Sequence, residues 1–300
     1  MRAMKYLVLV ALVGCGPANR TGNGDDGTGS GIDASTIDPP PGGDNCSAAA
    51  KLVYVVDEGN ALYSFQPETK VFTKIGGANL NCPTQGIDPN TLMTPTPFSM
   101  GVDRNAVAWV LYSDGELFNV DTTTLACTAT SFNSSSFTQF GMGFSTDAMG
   151  GAMDTLYIAG GQSVSGTQAQ LATLNTSTMS TMNIAKVTGQ PELTGNSNAE
   201  LWGFFPSDTN GTTMPRVEQI NKTTGAAIKN FPLPTLKGAP MAWAFAFYGG
   251  DYWVFLMKGT ETTTTVYQID GATGAVKGST PTSRVIVGAG VSTCAPVVIF

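Results

Sequence analysis

A chain of 300 residues, 42% hydrophobic and 12% charged, is too apolar for a disordered protein and too poor in charge for a coiled coil. Fifteen basic residues against 22 acidic ones leave a net charge of −7, so no nucleic-acid partner is expected. Histidine is absent, which removes the usual general base and the commonest metal ligand.

The chain opens with a basic stretch (Met1, Arg2, Lys5) and an apolar run over 6–13. That run is far short of the roughly 20 apolar residues a spanning helix needs. Residues 1–14 therefore read as an export signal, outside the fold. Leu12, Val13, Gly14 and Cys15 follow one another in the order of the lipobox, and this start resembles that of bacterial lipoproteins. The resemblance covers the first 15 residues. It implies that Cys15 is lipidated, becomes the first mature residue and anchors the chain in a membrane. In the Gram-negative pattern an Asp after that cysteine favours the inner membrane. Gly16 stands there instead, which implies the outer membrane.

Residues 15–45 contain mostly Gly, Asp, Ser, Thr, Asn and Pro, and cannot bury enough apolar surface to offset their ordering entropy. They read as a tether. Asp25 and Asp26 lack the alternating acids of a calcium loop.

From 46 to 300 the chain repeats loosely. Five segments share an apolar-x-x-apolar-polar pattern: 62–66 (LYSFQ), 117–121 (LFNVD), 171–175 (LATLN), 217–221 (VEQIN) and 266–270 (VYQID). Their starts lie 46 to 55 residues apart, and Thr-rich turns follow several of them. Each is preceded by a more apolar strand: 52–56, 108–112, 156–159, 201–205 and 252–256. Near-continuous apolar strands imply burial on both faces, and Trp109 and Trp253 within them read as core. Ahead of four of these lies a Gly- or Ala-bearing strand, at 98–102, 140–144, 192–195 and 243–247. Small residues there suit close backbone approach.

Four short antiparallel strands per unit of about 50 residues is the arithmetic of a propeller blade. The expected fold is all-β, a five-bladed β-propeller of four-stranded antiparallel blades, and the region resembles bacterial β-propeller proteins in architecture. The first blade lacks its inner strand, and 286–291 (IVGAGV) is left over at the C-terminus. The C-terminal strand is expected to complete the first blade and so remove the open edges. That closure sets Cys294 beside Cys46, and a disulfide there would close a loop of nearly the whole mature chain. Cys82 and Cys127 pair by elimination.

For chemistry, no phosphate loop, dinucleotide fingerprint or zinc motif appears, and no cofactor or metal is expected. A glycoside hydrolase needs two carboxylates, and the inner strands offer Asp103 and Glu192. Asp103-Arg104-Asn105 reads more simply as a turn. Binding is the other class, carried by long loops at 83–97, 132–139, 145–155 and 206–215, with Phe137, Asp147, Asp154 and Asp208, whose composition reads first as that of ordinary solvated loops. The expectation is a monomeric cell-envelope lipoprotein acting as a non-catalytic module that binds a glycan or an envelope protein. The alternative is a carbohydrate-active hydrolase with axial carboxylates.

Overall fold

The computed structural model describes residues 46–89 and 91–298. The export signal, Cys15, the 15–45 tether and the acids at 25 and 26 lie outside the described residues.

Twenty strands form five four-stranded antiparallel sheets. The second sheet is β4(Pro97–Val102), β5(Val107–Tyr112), β6(Leu117–Asp121) and β7(Cys127–Ala129), paired in that order. The third runs β8(Gln139–Thr146), β9(Asp154–Gly161), β10(Gln168–Leu174) and β11(Thr181–Thr188). The fourth is β12(Glu192–Gly195), β13(Leu201–Phe205), β14(Arg216–Ile220) and β15(Ala227–Pro232). The fifth is β16(Pro240–Tyr248), β17(Asp251–Lys258), β18(Thr265–Asp270) and β19(Val276–Pro281). The first blade takes β1(Val53–Asp57), β2(Leu62–Gln66) and β3(Val71–Lys74) from the start of the domain and β20(Ile286–Val291) from its end. β20 pairs antiparallel with β1, Val53 facing Val291 and Val55 facing Ala289. The fold is a five-bladed β-propeller closed by its last strand. Among the described residues the helical content is two 3₁₀ turns, Ala49–Lys51 and Pro234–Leu236.

The burial follows from position in the blade. The second strands are buried on both faces because a neighbouring blade covers each side: β1 and β13 are buried throughout. The outermost strands β3, β15 and β19 are mostly exposed. Five apolar clusters fill the five seams. Phe65 of the first blade, for example, meets Trp253 and Phe255 of the fifth edge-on, at 5.4 Å each. Trp202 of the fourth blade packs on Tyr252 of the fifth at 4.8 Å. Such aromatic pairs stabilise beyond their area by about 0.5–1.5 kcal/mol each.

The polar ending of the repeated third strand has a local cause. Asp121, Asn175, Asn221 and Asp270 each turn a side-chain oxygen onto the backbone N–H groups two and three residues ahead. The fifth residue of each turn, Leu125, Met179, Gly225 or Gly274, then sits at positive φ. Asp and Asn are favoured there because their side chains mimic a backbone turn.

Two disulfides tie the chain. Cys46 is bonded to Cys294 across 248 residues, and Cys82 to Cys127 across 45. The first locks the two ends of the domain; Ser292 Oγ reinforces it by donating to the Ala50 carbonyl at 2.8 Å. Loop-closure entropy makes the longer tie worth about 5.5 kcal/mol and the shorter about 4. Removal of Cys46 and Cys294 together is therefore expected to lower the unfolding free energy more than removal of Cys82 and Cys127, by about 1.5 kcal/mol. Equilibrium denaturation of the two double variants checks the order.

Candidate functional site

The axis is where an enzymatic reading places its acids. The five inner strands stand side by side around it, and all run the same way. A Cβ added to Gly288 or Gly290 of β20 would meet Met100 or Gly101 and Val102 of β4 within about 3 Å. Gly141 faces the Pro191 carbonyl and Glu192, and Gly143 faces Leu193 and Thr194, with matching direction. Backbone approach this close admits only glycine at these points.

This arrangement separates the two candidate carboxylates. Glu192 opens β12, level with Gly141. Asp103 lies just past the far end of β4, beside Arg104, which reaches Thr146 at the far end of β8. Asp103 closes its own turn: Oδ1 accepts from the N–H groups of Asn105 and Val107 at 2.8 and 3.0 Å, and Oδ2 from the Trp109 indole at 3.2 Å. Glu192 is 3% exposed and accepts from Ser99 Oγ at 2.9 Å. Burial pushes its carboxyl well above the usual range, against the opposing bonds from Ser99 and the Met142 backbone. Neither an acid–nucleophile pair nor an acid–base pair results. Among the described residues no three Cys, Asp or Glu converge as a metal site.

Define the upper face by the turns from inner to second strands, and the lower face by the turns from second to third strands. On the upper face, blade three reaches across to its neighbours. Its 147–153 turn and the strand ends beside it are bound to three other blades. Asp154 pairs with Arg104 of blade two, Oδ1 to Nε at 3.0 Å, and accepts from Thr293 of blade one at 2.6 Å. Arg104 Nη2 donates to the Gly151 carbonyl at 2.7 Å. Lys222 of blade four donates to the Thr146 carbonyl at 2.7 Å, and Gly150 N–H to the Ser197 carbonyl at 2.8 Å. Burial lowers the Lys222 pKa, partly offset by Asp147 and Asp154. Asp147 itself accepts from Thr155. The turn is thereby tied across the upper face.

The four long loops divide between the faces. The 145–155 loop is on the upper face. Loops 83–97, 132–139 and 206–215 lie on the lower face. Phe137, expected as a loop aromatic available to a ligand, is instead core: 2% exposed, with its ring edge-on to Phe140 at 6.3 Å. Asp208 is half-buried and turned onto its own loop, accepting from Thr212 and Thr213; the Thr212 hydroxyl and these N–H groups hold its carboxyl below the usual range. A shallow cavity of about 360 Å³ opens at the seam of blades one and five, lined by Ser64, Gln66, Glu68, Thr73 and Tyr248 among others. This tie was missed in the sequence because its partners come from three blades. Arg104 as the lone cation of its region was the available signal.

Against known proteins, no family model matches the sequence and no curated protein matches it. Among solved structures, the chain is similar to the crystal structure of TolB from Acinetobacter baumannii, at 12% identity and a TM-score of 0.44. The match covers 80% of this chain and 54% of that one, so this chain spans about half its length.

The state of Glu192 has a measurable sign. A carboxyl whose folded pKa is raised holds a proton the unfolded chain releases, so stability falls as pH rises above the ordinary value near 4.5 and levels off past the raised one. Glu192→Gln removes that slope. The Gln variant is expected to be more stable than the parent at neutral pH, with the gap narrowing towards pH 4.5. Denaturant unfolding of both across this range tests it.

Proposed function

We infer that this chain is a lipoprotein of the cell envelope, anchored through Cys15 in the outer membrane, whose propeller binds a glycan or an envelope protein without chemistry. One observation carries the non-catalytic half of this reading: the axial acids are used up. Glu192 is sealed beneath neighbouring strands and Asp103 is spent on its own turn. A rigid disc with a filled axis leaves function to its faces. The chain enters the domain at Cys46, next to Cys294 at the upper end of β20. Three of the four long loops gather on the lower face and supply the surface for a ligand. The hydrophobic start and the Gly/Pro-rich stretch behind it support the anchor.

The test is a combined retention and turnover screen of the oxidised chain against a polysaccharide panel and envelope extract of its source. Retention without release of reducing sugar is expected, unchanged within about twofold by Asp103→Asn and Glu192→Gln. Sugar release abolished by either substitution would make the chain a hydrolase.

A further inference from the structure

The acids described so far are spent on the protein itself: Asp103 on its own turn, Asp154 on Arg104 and Thr293, Asp208 on its own loop. The cavity at the seam of blades one and five differs. Its polar lining comes from Ser64, Gln66, Glu68 and Thr73 of blade one and Tyr248 of blade five. Ser64 and Thr73 sit opposite each other on β2 and β3. Tyr248 ends β16, and burial first and the Glu68 carboxylate second hold its phenol above the ordinary value. That meeting of Tyr248 and Glu68 is the one polar contact made by any of these five side chains among the described residues. Their hydrogen-bonding capacity is otherwise unspent.

The frame that carries them is fixed. Phe65, in the apolar part of the lining, is 1% exposed and packs on Phe72 at 4.7 Å and on Trp253 and Phe255 of blade five at 5.4 Å each. Pro67 is buried and sets its own φ where the chain leaves β2. Polar groups rooted on such a frame cost less to order around a ligand.

Chemistry narrows what that ligand is. No Lys or Arg lines the cavity, so a phosphate or carboxylate finds no charge to pair with. Lys70, in the same turn as Glu68, lies over the Trp253 ring at 5.9 Å. A single carboxylate is a poor cage for a divalent cation, and among the described residues no three Cys, Asp or Glu converge. The lining instead combines hydroxyls, an amide and a carboxylate with an aromatic ring that ends in a polar tip. Adjacent hydroxyls of a sugar need that mixture of donors and acceptors, and the C–H face of its ring suits the aromatic. A volume of about 360 Å³ is at the small end of ligand sites.

We propose that this seam cavity binds a neutral mono- or disaccharide, with Gln66 and Glu68 taking its hydroxyls and Tyr248 its ring face. The proposal rests on the binding-module reading and names a saccharide as ligand, at the upper end of a seam and apart from the lower-face loops.

The test titrates the full oxidised chain with a panel of neutral mono- and disaccharides, and with glucosamine as a cationic probe, by ligand-observed NMR. Four chains are compared: the parent, Gln66→Ala/Glu68→Ala, Tyr248→Ala and the lower-face control Met214→Ser. Unfolding curves matching the parent confirm each fold. At least one neutral saccharide is expected to bind parent and control with a Kd of about 1 mM, as suits a shallow site. Either cavity variant weakens it at least about tenfold, and raising salt from about 0.1 to 0.5 M leaves it unchanged. Saccharide binding that is equal on all four chains overturns the proposal. Binding of glucosamine alone, lost at high salt, overturns it too and assigns Glu68 to a cation. Polysaccharide or envelope protein retained by all four chains, with no saccharide held at the cavity, overturns the proposal but leaves the binding-module reading standing. Neither retention nor saccharide binding by any chain overturns both.

Discussion

Backbone contact at the axis is the constraint on which the rest depends. Five parallel inner strands can surround one narrow axis only if some residues bring no side chain, and Gly141, Gly143, Gly195, Gly288 and Gly290 are placed where a Cβ would strike a neighbouring strand. Once those strands meet, the second strands are sandwiched between blades and become apolar through their middles. The seams fill with aromatic and branched side chains, one cluster to each. The ring has no free inner edge because β20 crosses from the end of the domain to its beginning, and a disulfide holds it there.

The same constraint bears on function. An axis this crowded accepts small polar side chains, Ser99, Ser145, Thr146 and Thr194, all buried. It accepts one carboxyl, Glu192, whose ionisation burial disfavours. On the upper face Asp154 and Arg104 tie blade three to blade two. The exposed side chains lie away from this column, on the loops of the two faces and on the outermost strands.

The architecture was legible because a repeat announces itself by order and spacing. The apolar second strands, the Gly/Ala inner strands and the polar residue that ends each third strand recur in register. The surplus 286–291 segment matched the missing strand of the first blade. What spacing does not encode is contact between blades. Phe137 looked like a free loop aromatic because nothing local places it against Phe140. Asp154 looked like a solvated loop acid because its partners, Arg104 and Thr293, are 50 and 139 residues away. The left-handed backbone of Leu92 was invisible for a related reason: Leu is a residue that turn rules do not expect there.

The central claim is that closure by β20 holds the ring as one cooperative unit. Hydrogen exchange on the oxidised chain and on a form ending at 284 addresses it directly. The account predicts that loss of β20 strips protection from β1 and also from β4 and β16, the inner strands packed beside it. Protection of β4 and β16 unchanged by the truncation would contradict it and make the last strand an accessory to a ring that stands without it.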